Sequence, residues 1–114
     1  NGAGSSESSV CALDWCAPLP SDLRPNAAAG VAAGDVVLAA DCVFWPKLFA
    51  PLLCTLASLV AGLAPPPLLL VTVTRRLGRA EAFEAEARAA GWALRQLAPD
   101  VSAPHVMLCE LVRR

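Results

Sequence analysis

The stretch DVVLAADCVF at residues 35–44 decides the fold. Val36, Val37 and Leu38 form an unbroken apolar run, the pattern of a parallel strand covered on both faces. Pro46 then suits the first turn of a helix. Beyond it, Phe49, Leu52, Leu53, Leu56, Leu59, Val60 and Leu63 recur at three- and four-residue steps, which gathers them on one apolar face. A buried strand feeding an amphipathic helix is one half of a crossover unit, so the sequence is read as α/β.

The same alternation continues downstream. Gly62 or the cluster Pro65-Pro66-Pro67 ends the helix. LLLVTVT at residues 68–74 reads as a second buried strand. Arg75, Arg76 and Arg79 belong to a basic, solvated loop. Residues 80–90 have helical composition, with Phe83, Ala87 and Ala90 toward the sheet, Glu81, Glu84, Glu86 and Arg88 toward solvent, and Gly91 as the stop. Residues 92–97 and 106–112 read as two closing strands, separated by a loop at 98–104. Upstream, residues 26–33 have the composition for one or two helical turns. VCALDW at 10–15 reads as a short strand behind a polar opening.

Composition excludes several function classes. With 56% hydrophobic and 17% charged residues, the chain has enough apolar side chains to fill a core. The net charge is -1 and no basic stripe is present, which argues against a nucleic-acid surface. The five cysteines and single histidine do not assemble into a zinc-binding spacing. The cysteines read as reduced thiols of a cytoplasmic or nuclear protein. Residues 48–74 carry no charge, but Pro65, Pro66 and Pro67 interrupt any membrane span.

Two groups of residues carry chemical interest: Asp14-Trp15 at the end of one expected strand, and Ala40-Asp41 with Phe44 at the end of the next. In open α/β sheets, ligands bind beyond the carboxyl ends of the strands. Asp41 interrupts an apolar run, where a carboxylate is costly without partners. As a bland alternative, it is a loop carboxylate before a helix.

These motifs resemble methyltransferase family 16, the seven-strand protein-lysine methyltransferases. Leu-Asp-Trp at 13–15 is similar to the end of that family's third strand. DVVLAADCVF is similar to its fourth, which typically reads Asp-Val-(Val/Ile)-Leu-(Ala/Gly)-Ala-Asp-Val-x-Tyr. The resemblance implies the C-terminal portion of a Rossmann-like class I methyltransferase sheet, from the third strand onward, without the first two strands. It implies S-adenosylmethionine as cofactor. Trp15 matches the residue packing near the adenine, Asp14 is its polar neighbour, and Ala40 is the small residue whose backbone meets the cofactor. Asp41 matches the acidic residue beside the methyl-transfer site. Phe44 takes the place of the tyrosine without its hydroxyl, and with Trp45 it could wall a lysine channel.

The same resemblance implies a protein substrate, such as a translation factor or chaperone, and a monomer that needs neither nucleic acid nor membrane. The family's glycine-rich loop has no counterpart here, since Gly2-Ala3-Gly4 precedes the first readable strand. The chain alone is therefore expected to bind the cofactor weakly or not at all, and its strand at 36–38 to present an exposed apolar edge. The alternatives are a non-catalytic isoform or interaction module of the same fold, another class I methyltransferase, and a membrane-anchored fragment.

Overall fold

The computed structural model describes residues 10–43, 45–74, 78–97 and 105–114. The expected polar opening, Phe44, most of the basic loop and the loop at 98–104 lie outside the described residues. The regular elements are strand β1 (Val36–Ala39), helix α1 (Phe49–Val60), strand β2 (Leu68–Thr74), helix α2 (Arg79–Ala89), strand β3 (Trp92–Gln96) and strand β4 (Val106–Arg113). Single 3-10 turns occur at Ser21–Leu23 and Pro46–Leu48.

The strands form one sheet in the order β1-β2-β4-β3. β1 runs parallel to β2, with Val36 opposite Leu68 and Ala39 opposite Val71. β4 lies antiparallel between β2 and β3. The parallel pair joined through α1 is the crossover unit the apolar run implied.

Both helices cover the same face. α1 buries Phe49, Leu52, Leu53, Thr55 and Leu56, while α2 buries Ala80, Phe83 and Ala87. The Phe49 and Phe83 rings meet edge to face at 5.3 Å between centroids, a favoured aromatic geometry. Leu69, Val71 and Val73 of β2, Cys109 and Leu111 of β4, and Trp92 of β3 complete the core. The α2 face thus uses Ala80 where the sequence reading placed Ala90. Ala90 is exposed because the helix has already ended: its amide bonds back to Glu86 and Ala87, and Gly91 takes φ +89°. On β3, Trp92 is covered from outside by the Arg113 guanidinium, 4.1 Å from the ring centroid.

The opposite face is open. Val36 and Leu38 are 61% and 60% exposed, and Leu68, Leu108 and Val112 are also exposed. β1 is therefore covered on one side rather than both. It stands at the sheet edge with Val36 and Leu38 bare, while Val37 and Ala39 pack toward the core.

Three local expectations are corrected. Residues 10–15 do not form a strand: they run without ladder partners, Val10 is 99% exposed, and the segment ends in a turn at Trp15 and Cys16. A short apolar run becomes a strand only where another strand satisfies its amides and carbonyls, and among the described residues none pairs with it. Residues 26–33 make successive turns rather than a helix, with Ala27 bonded to Arg24 and Gly30 to Ala27. A Cβ on Gly30 would lie 1.9 Å from the Arg24 carbonyl oxygen, so only glycine fits there. Finally, β1 stops at Ala39 rather than Phe44, because Asp41 adopts φ +56°, which extended strand cannot accommodate.

Among the described residues no helix is long and apolar enough to cross a membrane.

Candidate functional site

The carboxyl end of β1 carries Ala40 and Asp41. Asp41 is exposed and holds left-handed backbone torsions, which Asp tolerates better than most residues. Its amide donates a 3.1 Å hydrogen bond to the Thr72 hydroxyl on β2. The strand end is thereby tied to its neighbour, and the carboxylate projects from a backbone whose course is fixed. Ala40 is exposed, and its carbonyl accepts a 3.4 Å hydrogen bond from the Cys42 thiol. Burial pushes the Cys42 thiol above the usual thiol range, and the negative charge of Asp41 adds to that shift.

The chain then passes Val43, which is buried, and reaches Trp45, which is 62% exposed. Trp45 is thus not a core residue. It stands in the same connection as Asp41, between β1 and α1, with most of its surface free to meet another molecule. The role assigned to Phe44 falls outside the described residues.

Asp14 and Trp15 are positioned by a different element. The Asp14 Oδ1 accepts a 2.9 Å hydrogen bond from the Cys16 amide, and the Asp14 carbonyl accepts one of 3.2 Å from Ala17. This is an Asx turn closed on itself. The half-buried Trp15 packs against the core cluster, and its carbonyl accepts a 3.3 Å hydrogen bond from Thr55. At about 1.5 Å per residue, Thr55 lies roughly 9 Å along α1 from Phe49. Trp15 thus rests against the flank of α1 and lines a cleft of about 300 Å³ with Cys16, Cys54, Thr55 and Ser58.

The structure brings Ala40 and Asp41 together at the sheet edge and places Asp14 and Trp15 on α1. Among the described residues no hydrogen bond joins the two groups, although Trp15 and Cys42 pack against the same core. Two residues that position the site went unrecognised in the sequence, Thr72 and Thr55. The available signal was a hydroxyl within an otherwise apolar run, on β2 and on the buried face of α1.

A cofactor of the size of S-adenosylmethionine is not enclosed by these residues. Ala40 lies exposed at the sheet edge, the Asp14 carboxylate is engaged within its own turn, and Trp15 is turned to the helix. The described residues carry no cluster of His, Cys, Asp and Glu suited to a metal ion.

The four-stranded mixed α/β sheet is compatible with part of a methyltransferase-like fold. The family model described as lysine methyltransferase matches residues 1–88, and the chain belongs to that family. No curated protein matches it.

Proposed function

We propose that this chain supplies the acceptor side of the active site in an S-adenosylmethionine-dependent protein-lysine N-methyltransferase, and that it acts as part of a longer protein. The supporting observation is Asp41, exposed at the carboxyl end of β1 and anchored through its amide to Thr72. In the proposed reaction the cofactor supplies the methyl group, so the protein's task is chiefly to bind and align. A lysine amine has a reference pKa of about 10.4 and must be neutral to attack. An apolar wall such as Trp45 disfavours its charged form, while Asp41 orients the amine by accepting a hydrogen bond and its charge partly opposes deprotonation. Asp14, Trp15 and Ala40 keep the cofactor-side roles implied by the family, in a longer protein whose further strands cover the open edge of β1.

Calorimetry with S-adenosylmethionine and methyl-transfer assays on protein extracts test the proposal. The isolated chain is expected to show no tight binding. A version extended by the upstream sequence should bind the cofactor and label protein lysines, and Asp41→Asn should remove the labelling while binding persists. Cofactor binding without lysine labelling in the extended protein would favour the second reading, a non-catalytic module of this fold. That reading is supported by Phe44, which carries no hydroxyl where the family has tyrosine.

A further inference from the structure

Cys16 and Cys54 come from separate segments, yet both line the cleft beside Trp15, and both are exposed and free. Each is held in place by a hydrogen bond at or next to it. The Cys16 amide is fixed to Asp14 Oδ1 at 2.9 Å. Cys54 precedes Thr55 on α1, and the Thr55 hydroxyl donates to the carbonyl of Trp15, the residue before Cys16, at 3.3 Å. Direct chain neighbours of the two thiols are therefore bonded to each other. The two cysteines share one cleft, and a disulfide between them requires that their Cα atoms approach within about 7 Å.

We infer that Cys16 and Cys54 form a reversible disulfide that fastens the Asp14–Ala17 turn to α1 when a peroxide is present. The chemistry is balanced by that oxidant. The thiolate of one cysteine attacks a peroxide oxygen, the O–O bond breaks, and a sulfenic acid and water result. The second thiol attacks the sulfenic sulfur, forms the S–S bond and releases a second water. Two thiols are oxidised and hydrogen peroxide is reduced to two waters, while a dithiol reductant reverses the change.

The other cysteines are less suited to compete. Cys109 is buried, and Cys42 is half-buried with its thiol held in the protonated form by burial and by Asp41. Cys11 is exposed but does not line the cleft. In the reduced protein the turn is held to the helix by non-covalent contacts, the Thr55 hydrogen bond and the packing of Trp15 against the core. In the oxidised protein it is covalently fixed, and Trp15 cannot leave the flank of α1. The disulfide itself does not depend on the proposed methyl transfer.

The test is to treat the chain with hydrogen peroxide, block remaining thiols, and map non-reduced chymotryptic peptides by mass spectrometry. The expected result is an intramolecular Cys16–Cys54 peptide that disappears with dithiothreitol. It should be absent in both Cys16→Ser and Cys54→Ser and retained in Cys11→Ser. Full alkylation of Cys16 and Cys54 after peroxide, a Cys11–Cys54 link in the unsubstituted chain, or links only between molecules would overturn the inference. Should a serine variant fail to fold, dibromobimane applied to the reduced unsubstituted chain decides the matter. Bridging of Cys16 to Cys54 supports the pairing, and its absence overturns it.

Discussion

The Asp41 amide and the Thr72 hydroxyl, 3.1 Å apart, join the end of β1 to the middle of β2. This bond stands where the parallel ladder ends, one step beyond the pairing of Ala39 with Val71. Replacing Thr72 with valine keeps the shape and removes the acceptor. A typical hydrogen bond contributes about 0.5–1.5 kcal/mol, and a loss in that range is expected. Urea titration of Thr72→Val checks it, and an unchanged midpoint would show that the bond contributes nothing to stability.

Asp41 separates stability from chemistry. At φ +56° glycine relieves a left-handed strain of roughly 1–2 kcal/mol but adds freedom to the unfolded chain, worth about 0.5–1 kcal/mol in the opposite direction. Asp41→Gly is therefore expected to leave stability within about 1 kcal/mol of the parent. In the extended protein the same change should slow methyl transfer at least tenfold, about 1.4 kcal/mol in the barrier. Thermal unfolding and initial rates, measured side by side, test the separation.

Cys42 makes stability fall in alkali. Burial, followed by the charge of Asp41, raises the thiol pKa in the folded chain above its unfolded value. The unfolded state then releases its proton first as the pH rises. The contribution is fully present below the unfolded thiol pKa and is lost as pH climbs through the folded one. Urea midpoints at pH 8 and pH 10 should diverge more for the parent than for Cys42→Ala. Equal divergence in both would remove Cys42 from the explanation.

The bare edge of β1 predicts self-association. Leu38 is 60% exposed, and apolar edge strands pair readily with other chains. Leu38→Lys should change stability by no more than about 0.5 kcal/mol, as expected for an exposed position. It should lower light scattering of concentrated, unextended chain. In the extended protein the same substitution is expected to destabilise, because the added strands would bury that position.

The elements legible in sequence were those with a local signature. The three- and four-residue recurrence from Phe49 to Val60 gives α1, and the apolar run from Leu68 to Val73 gives β2. Leu13-Asp14-Trp15 has the apolar pattern of a strand without forming one, because strand formation depends on a partner that no local pattern specifies. Placement of β4 between β2 and β3 was equally hidden, since it rests on pairings between distant residues such as Leu70 with Glu110. Asp41 was visible as a carboxylate in an apolar run. Its backbone torsion and its bond to Thr72 depend on strand register and appear only in three dimensions.

The position of β4 also orders the events of biosynthesis. β2 and β3 share no direct pairing and meet only through β4, the last of the four strands to leave the ribosome. Until it emerges, the amides of β2 facing that side have no ladder, and Trp92 lacks the guanidinium of Arg113 above it. The β1–β2 pair can form earlier, whereas joining β3 to it awaits translation of β4.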